Sequence, residues 1–551
     1  MKPPVNCFFI LAAFTIYHSL FTVALAQSPR PNVLIIMADD MKWNSLIILN
    51  PDNILPTANI DRIGNEGANI KCYSVNSLCV PGRQALLTGK YGHRMDVMNN
   101  SHYIPNSVKL LPKIFHDSGY YTALVGKWMV TNPHPYPSYF DYWLYSDNKV
   151  HYFDDTCYYF NTPIATSEHM TDFLTDSAVQ LLSRIDTPFF MMLDHNAPHG
   201  TWHPQAIYEG VFDTCNFPVP LNFEKYSVNY PDFLYTDTSN LVHNVNQEIK
   251  MLRNYYEMMA GVEESVGEVL DTLTARGLLD NTIIIFTTDN SNLIGEHGLA
   301  GKQQPYNECM RMPLLIRYPP LFSAGTVMND NFILNVDIAP TLLSLAGINS
   351  GLTMDGIPIQ NFLNSDTSRT QFYYEQKARG VDTLLQVRTV RDNQFQYNRY
   401  YCTDTTEELF DEQLDTLQMI NLAVNPAFQT VLYQYRNKLD SMRYALNDTM
   451  TIDLTGCHLV ADTSVFVSHA GEKIFSVYPN PALNIFYVQS ASQQKINYEV
   501  LNILGQKIMS GQFDFTKTVV QKIDLGAQPD AVYLLQFPGS NSDAVRLIKA
   551  D

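Results

Sequence analysis

Four short runs of apolar residues recur in the first 290 residues, and each run leads into polar or charged side chains. The runs cover residues 33–38, 121–125, 189–193 and 283–286. The polar groups that follow them lie at 39–40, 126–128, 194–199 and 287–290. Continuous apolar runs are typical of strands buried on both faces of a parallel sheet. Because ligands bind outside the carboxyl ends of such strands, these groups predict a site at that edge.

Segments between the runs are predicted to be helical, at 110–118, 169–184 and 247–275. The last of them places apolar residues at helical spacing. Alternating strands and covering helices predict an α/β domain over residues 27–365, with a mostly parallel sheet flanked by helices.

The chain changes character twice after this domain. Residues 366–450 alternate in the manner of strands at 371–374, 384–390 and 394–400, and they close with a helix near 426–443. Residues 451–472 have a mixed polar composition and are interpreted as a linker. From 473 to 551, short strands separated by turn signals predict a small β-sandwich.

Composition limits the classes of partner. The chain has 551 residues, enough for more than one domain, and 46% of them are hydrophobic, so a large core is expected. Its net charge of -19 argues against broad binding to nucleic acid or to an anionic membrane. An anionic substrate would therefore need a local positive pocket.

The N-terminus has the pattern of a secretory signal peptide, assigned to residues 1–26. Lys2 precedes an apolar run at 7–25, and Ala24-Leu25-Ala26 is a small-residue cleavage pattern. An uncleaved membrane anchor is the alternative. Export permits disulfides among the six cysteines that are neither in this segment nor at position 79, although spacing does not give their connectivity.

One stretch combines several features of a reactive site. Residues 79–89 read Cys-Val-Pro-Gly-Arg-Gln-Ala-Leu-Leu-Thr-Gly. Pro81 and Gly89 predict a short helix that begins near Cys79. The helix N-terminus favours negative charge, and Arg83 adds a fork of donors for oxyanions. Taken alone, Cys79 is better explained as a structural cysteine, either buried or in a disulfide, for example with Cys72.

The same stretch resembles the sulfatase signature Cys-x-Pro-x-Arg-x-x-x-Leu-Thr-Gly at every fixed position, and related motifs extend the resemblance over roughly 31–420. The resemblance implies that Cys79 is converted to formylglycine, an aldehyde whose hydrate attacks sulfur, by a formylglycine-generating or sulfatase-maturating enzyme. It also implies that 366–450 form a smaller C-terminal antiparallel subdomain.

A divalent metal ion is expected at the two strand ends that carry oxygen ligands. Asp39, Asp40, Asp289 and Asn290 offer hard oxygens, which suit Ca²⁺ or Mg²⁺ and disfavour zinc. Each pair alone is more often a turn or a helix cap. They fall where sulfatases carry their metal ligands, beside Cys79, and the resemblance implies calcium rather than magnesium.

Three further residues match catalytic positions of the family. Lys127, in Gly-Lys-Trp, resembles the lysine that grips a sulfate oxygen. His199, in Asn-Ala-Pro-His, resembles the histidine near the bridging oxygen, and Lys302 resembles its partner in protonating the leaving group. The alternatives are solvated loop charges and ordinary loop histidines, since His195 and His203 lie close by.

Two positions need separate comment. His297 matches a recurrent position in the sulfatase segment that follows the metal-binding Asp-Asn pair, and it is assigned to substrate binding. Sulfatases commonly read Gly-Lys-Trp-His, whereas Met129 stands in the fourth place here, and a thioether cannot donate a hydrogen bond. Either another group, such as His134 or His151, substitutes for that histidine, or the site works without it.

The C-terminal sandwich resembles the sorting domain of the type IX secretion system. It opens with Tyr478-Pro479-Asn480-Pro481 and ends in a basic-apolar tail at 545–549. An accessory carbohydrate-binding sandwich is the alternative. The expected partner is the secretion machinery, and the expected location is the cell surface or the medium, with the periplasm as a transit compartment.

These expectations combine into an exported sulfatase that acts on a sulfated carbohydrate, with no role for nucleic acid. Two alternatives stay open. One is a phosphonate or phosphate ester hydrolase of the same superfamily, and the other is a non-catalytic binder of sulfated glycans. The sugar, the sulfate position and the mode of attack on the chain are set by loops that the motifs do not specify.

Overall fold

The computed structural model describes the chain in segments. They are residues 30–105, 107–146, 151–223, 231, 241–242, 244–363, 367–377, 386–401, 406–449, 475–478, 484–490, 494–502, 506–517, 520–529, 531–538 and 545–549. The signal peptide assigned to 1–26 and the linker assigned to 451–472 lie outside these residues.

The first part of the chain alternates strands and helices, as the apolar runs predict. The strands are β1 (Asn32–Ala38), β2 (Ala68–Tyr73), β3 (Tyr121–Lys127), β4 (Tyr142–Ser146), β5 (Asp155–Tyr159), β6 (Thr162–Thr166), β7 (Phe189–His195), β8 (Thr282–Thr287), β9 (Leu293–Ile294), β10 (Ala300–Gly301), β11 (Arg311–Met312), β12 (Leu314–Arg317) and β13 (Thr326–Leu334). The helices are α1 (Ala58–Asn65), α2 (Cys79–Thr88), α3 (Leu111–Asp117), α4 (Met170–Leu182), α5 (Val245–Ala275), α6 (Asn307–Met310) and α7 (Ile338–Leu345).

A single large sheet organises this part of the chain. Its order is β11-β2-β12-β8-β1-β7-β3-β4-β5-β6, and β13 pairs with β2. The five central strands, from β8 to β4, are mutually parallel, whereas β4, β5 and β6 pair antiparallel at one edge, and β12 is antiparallel to β8 and β2. The predicted α/β fold with a parallel sheet is confirmed, and the sheet is mixed toward its edges.

Strands β11 and β12 are two parts of one strand. Arg311 lies opposite Tyr73 and Leu315 lies opposite Asn69, so both parts keep the same register against β2. Pro313, which lacks an N–H, separates them. The continuous register means that Arg311 lies at the same edge of the sheet as the end of β2.

The two faces of the sheet carry separate cores because alternate strand residues point to opposite sides. Helices α1, α4 and α5 cover one face, with Leu34 and Ile36 of β1 below them. Helices α2, α3 and α7 cover the other face, over Val33 and Ile35. The fully apolar β1 is therefore buried on both sides, as its sequence predicts.

The next segment forms the predicted smaller antiparallel unit. Its strands are β14 (Gln371–Lys377), β15 (Gln386–Asp392), β16 (Phe395–Tyr400) and β17 (Thr406–Asp411), followed by helix α8 (Gln429–Ala445). Leu432 and Leu439 of α8 pack into a core that also contains Tyr73 of the large sheet. This shared core fixes the small sheet beside the end of β2.

The C-terminal segment forms two antiparallel sheets with a core of their own. The strands are β18 (Phe475–Tyr478), β19 (Ile485–Ser490), β20 (Lys495–Asn502), β21 (Lys507–Asp514), β22 (Val520–Asp524), β23 (Ala531–Gln536) and β24 (Val545–Lys549). The sheet orders are β18-β19-β22 and β21-β20-β23-β24, and Phe486, Val500 and Leu535 lie between them. The predicted small β-sandwich is confirmed.

Five cysteines lie in the described residues, and all five are free thiols: Cys72, Cys79, Cys157, Cys215 and Cys309. Cys402 and Cys457 lie outside those residues. Within the described segments, no helix combines the length and the apolar character that a membrane crossing requires.

Candidate active site

The polar strand ends meet at the carboxyl edge of the large sheet. Asp39 follows β1, Lys127 ends β3, and Asp289 follows β8 by two residues. The side chains of Asp39 and Lys127 form an ion pair, and the Asp40 amide donates to Oδ1 of Asp289 at 3.3 Å. The structure therefore brings together residues that are up to 250 positions apart in the chain.

Cys79 opens helix α2 at the centre of this edge. Leu78 before it is extended, and the helix ends at Gly89, whose φ of 66° is the left-handed conformation that favours glycine. The Cys79 Sγ lies 2.9 Å from Nζ of Lys302 and 3.8 Å from Oδ1 of Asp39. Burial raises the pKa of the Cys79 thiol to about 12, although the Lys302 ammonium opposes the shift. An unmodified thiol here would be protonated at neutral pH.

Arg83 lies one turn along α2 and ties the helix to three strand ends. Its Nε donates to Asp289 at 3.0 Å, and one Nη donates to Asp194 at 2.9 Å and to the carbonyl oxygen of Lys127 at 3.0 Å. The guanidinium is buried, and its other Nη has no hydrogen-bond partner among the described residues. Burial opposes the charged form, but Asp289 and Asp194 raise the pKa of Arg83.

Oxygen atoms suited to a hard cation cluster beside Cys79. One ligand atom from each of four residues (Asp39, Asp40, Cys79 and His199) lies within 4.8 Å of the others. Asn290 donates through Nδ2 to Asp40 at 2.7 Å, while its buried Oδ1 has no hydrogen-bond partner in the described part of the chain. A buried amide oxygen without a donor fits a metal ligand, and an oxygen-rich set suits calcium or magnesium.

Two lysines neutralise these carboxylates. Lys127 pairs with Asp39, and Lys302 pairs with Asp40. Burial lowers the pKa of Lys127 to about 7. Burial also disfavours the charged form of Lys302. The negative charge of Asp40 is the main effect that favours it, and the net result is a pKa of Lys302 above its usual value. Lys302 is therefore an ammonium at neutral pH.

His199 is the predicted histidine that reaches the cluster. Its Nε2 lies 3.3 Å from Oδ2 of Asp40, and burial lowers its pKa to about 4 despite that carboxylate. His195 instead points away, with Nε2 2.9 Å from the Ser265 hydroxyl. The backbone carbonyl oxygen of His203 lies 2.9 Å from Nε2 of the His169 ring.

His297 lies deeper than its substrate-binding assignment implies. It is fully buried, its Nε2 lies 3.4 Å from Glu308, and its ring stacks on Tyr306 at 4.3 Å between centroids. Its backbone amide donates to the carbonyl oxygen of Asn222. These contacts give His297 a part in the packing of its loop, and the role in substrate binding stays a prediction.

Met129 has a positive φ of 48° and packs, partly buried, beside the core that contains Trp128. The His134 ring contacts Tyr145 and Tyr158, with 4.8 Å between the centroids in the second pair. His151 is exposed. No hydrogen bond within the described segments joins either histidine to Cys79 or to Asp39.

Asp194 is a site residue that the motifs did not single out. It directly follows the apolar residues of β7 and is fully buried. Its carboxylate accepts a hydrogen bond from Arg83. Burial raises the pKa of its carboxyl group to about 7, and Arg83 opposes the shift. An acidic residue at the end of a buried strand was the available signal.

Comparison with known families identifies the class of protein. A family model described as Sulfatase matches residues 31–348, and one described as N-sulphoglucosamine sulphohydrolase, C-terminal, matches 295–445. A third, described as Secretion system C-terminal sorting domain, matches 476–549. The first covers more than half of the chain, so this protein belongs to the sulfatase family and is a sulfuric ester hydrolase. Its C-terminal sandwich is a type IX sorting domain.

Individual relatives are distant but extensive. An N-acetylglucosamine-6-O-sulfatase of Bacteroides thetaiotaomicron is 27% identical over 468 residues, which cover 72% of this chain and 83% of the relative. An ulvan-active sulfatase of Formosa agariphila is 27% identical over 455 residues, covering 78% of this chain and 84% of the relative.

Solved structures share the fold. One, of a protein in complex with its substrate D-glucosamine-2-N,6-O-disulfate, superposes with a TM-score of 0.70 at 26% identity, covering 77% of this chain and 99% of that one. The phosphonate monoester hydrolase of Agrobacterium radiobacter has a TM-score of 0.67 at 21% identity, covering 76% of this chain and 96% of that one. The second likeness concerns the fold alone.

Proposed function

We propose that this protein is an exported sulfatase that removes sulfate from a sulfated carbohydrate, using a formylglycine formed from Cys79 and a bound calcium ion. The observation that carries the proposal is the position of the Cys79 side chain. It lies at a helix N-terminus, 2.9 Å from the Lys302 ammonium and 3.8 Å from a carboxylate oxygen of Asp39. A nucleophile there would face a cation site and a proton donor together.

The proposed cation ligands are oxygens of Asp39, Asp40, Asp289 and Asn290, together with residue 79. The orphaned Oδ1 of Asn290 and the shared contacts of Asp40 and Asp289 support this set. When bound, the cation and the aldehyde at position 79 supply Lewis acidity and the attacking oxygen. Arg83 fixes the position of Asp289 through its Nε, and so sets the geometry of the ligand sphere.

The protein's own groups supply charge stabilisation and a proton. Lys302 is a buried cation beside residue 79, where preorganised positive charge is most effective, and Lys127 is paired with Asp39 in the same cluster. Lys302 is protonated at neutral pH and is the proposed donor to the departing hydroxyl group. His199 is the proposed residue beside the bridging oxygen, because its Nδ1 donates to the Gly200 carbonyl oxygen and its Nε2 is directed toward Asp40 in the cluster. We propose that Lys127 binds one of the oxygens of the sulfuryl group.

A carbohydrate substrate is supported by the relatives. Two curated relatives carry names that specify N-acetylglucosamine 6-O-sulfate and ulvan, and the ligand in the similar solved structure is a sulfated glucosamine. Secretion supports the same conclusion, because sulfated polymers are met outside the cell. The maturating enzyme that converts Cys79, a signal peptide over 1–26 and a periplasmic intermediate belong to this proposal.

The test is sulfate release from a panel of defined sulfated oligosaccharides, with Cys79→Ala as the matched control. We expect release by the mature protein and none by the variant, because the methyl group of alanine offers no thiol or hydroxyl that could be oxidised to the aldehyde. Mass spectrometry of the peptide that contains residue 79 should show the aldehyde in active protein. Active enzyme with an unmodified Cys79 would refute the mechanism.

An aryl phosphonate assayed beside the panel tests the phosphonate hydrolase alternative. Retention of sulfated oligosaccharides without sulfate release, by protein fully converted at position 79, would instead indicate a glycan-binding protein.

A further inference from the structure

Arg311 lies beside the proposed cation ligands at the carboxyl edge of the sheet. Leu314 pairs with Thr287, so Arg311, three residues before Leu314, and Asn290, three residues after Thr287, lie at the same end of adjacent strands. Neighbouring strands are about 4.8 Å apart. On its other side, Arg311 lies opposite Tyr73. Arg311 therefore lies at the carboxyl edge of the sheet, where the proposed cation ligands lie.

The guanidinium of Arg311 has no carboxylate partner in the described residues. Two acids are near enough to raise its pKa, Glu308 and Glu412, but burial is the larger effect and lowers it. Both acids are already engaged, because Glu412 binds Arg391 at 2.8 Å and Glu308 binds Asn222 at 2.8 Å. Arginine stays charged at physiological pH. Arg311 is thus a partly desolvated cation without a counter-ion.

An aromatic ring holds this cation in place. The Arg311 guanidinium carbon lies 3.5 Å from the centroid of the Trp43 ring, and both residues are partly exposed. The backbone N–H of Trp43 donates to the Ser291 hydroxyl at 3.1 Å, next to Asn290, so the Trp43 backbone is tied to the loop that carries a proposed cation ligand. Stacking on one face of the guanidinium leaves its in-plane N–H donors free for a planar or tetrahedral anion.

We infer that Arg311, stacked on Trp43, forms a subsite for a second anionic group of the substrate, so that the enzyme prefers saccharides carrying an additional sulfate or carboxylate within one sugar unit of the sulfate ester that is cleaved. The inference rests on the proposed hydrolysis of sulfated carbohydrate. It makes Arg311 a specificity-determining residue that recognises the substrate away from the sulfur under attack.

The test measures binding in full-length Cys79→Ala protein, where no formylglycine can form and no turnover occurs. The probes are N-acetylglucosamine 6-sulfate, D-glucosamine-2-N,6-O-disulfate, and the disaccharide in which glucuronic acid is linked to N-acetylglucosamine 6-sulfate. We expect at least one doubly charged probe to bind about tenfold more tightly than the singly charged one, the range of one charge-assisted hydrogen-bond pair. Arg311→Gln should abolish that preference while changing the affinity for the singly charged probe by less than about twofold.

Two variants separate local recognition from general charge. Arg311→Lys keeps the charge without the planar fork and should retain part of the preference. Arg184→Gln removes the same charge from an exposed position at the end of α4 and should leave the preference unchanged.

The inference is overturned if neither doubly charged probe binds more tightly than the singly charged one, or if the preference survives in Arg311→Gln. Failure of the sulfatase proposal has a different signature, since absent sulfate release leaves the binding measurement in Cys79→Ala protein intact.

Discussion

Gly82 on α2 lies so close to Asp289 that a Cβ added to the glycine would be 2.2 Å from the Asp289 carbonyl oxygen. This approach lets the helix that carries Cys79 dock directly on the strand end that carries a proposed cation ligand. The neighbouring Arg83 then reaches Asp289 with its Nε at 3.0 Å. The position of residue 79 therefore depends on the absence of a side chain three residues later.

Gly82→Ala should displace α2 from the end of β8. Overpacking of this kind costs about 1–3 kcal/mol in the free energy of unfolding, and a shift of about 1 Å at a reacting group costs on the order of 100-fold in rate. Sulfate release and thermal unfolding measure the two effects. Gly351→Ala is the control: its φ of 65° makes alanine strained, but no atom lies within 4 Å of the added Cβ. It should lose stability and keep activity, and equal activity of the two variants would contradict the role of Gly82.

Arg83→Lys should fold and lose most activity, by about 100-fold or more, because a lysine cannot donate to Asp289 and Asp194 in the fixed geometry of a guanidinium. Both carboxylates are fully buried, so the free energy of unfolding should also fall by about 1–3 kcal/mol. Urea unfolding and kcat/KM provide the measurements. Wild-type rates in this variant would show that Arg83 serves only to add charge.

Lys302→Met should lower kcat/KM by about 10²–10³, since the variant loses an ammonium next to both residue 79 and Asp40. The matched control is Lys113→Met, which removes a lysine paired with Asp117 on the exposed face of α3 and should have no effect on activity. A loss of less than about tenfold at position 302 would exclude Lys302 as the proton donor.

Calcium should stabilise the protein through the oxygen cluster. After treatment with a chelator, added Ca²⁺ at about 100 times its Kd is expected to raise the free energy of unfolding by about 2.7 kcal/mol, and zinc should not substitute. Asp40→Asn should abolish the rise in Tm, whereas Asp52→Asn, at an exposed site, should keep it. An undiminished response in Asp40→Asn would place the cation elsewhere.

His93 should make stability depend on pH near neutrality. Its Nδ1 lies 2.6 Å from Glu375, and although burial opposes the charge, this carboxylate raises the pKa of His93. The ion pair contributes fully below the unfolded pKa of about 6.5, and its contribution is lost as pH rises through the folded pKa. In urea titrations, the difference in unfolding free energy between wild type and His93→Gln should shrink as pH increases above 6.5. The exposed His102→Gln should show no such trend, and a difference that grows with pH would reverse the assigned sign.

The sequence by itself determined the strands, the helix at Cys79 and the family. An apolar run such as that in β1 is stable only when both faces are covered, so its pattern implied a layered sheet before any contact was known. The same reasoning placed Asp39 and Asp289 at strand ends, and the structure joins them through Asp40 as the parallel sheet requires. These conclusions follow from local properties of the chain, namely residue type, spacing and turn chemistry.

Only the tertiary structure decided which polar residues meet. His195, His199 and His203 look alike in the sequence, yet a strand alternates its faces, so His195 turns to Ser265 while His199, beyond the strand, reaches Asp40. Likewise, Asp194 accepts a hydrogen bond from Arg83, and Arg311 stacks on Trp43. Each pair is separated by more than 100 residues in the chain. Such contacts depend on strand order and register, which are set by packing over the whole sheet and leave no signal in a local pattern.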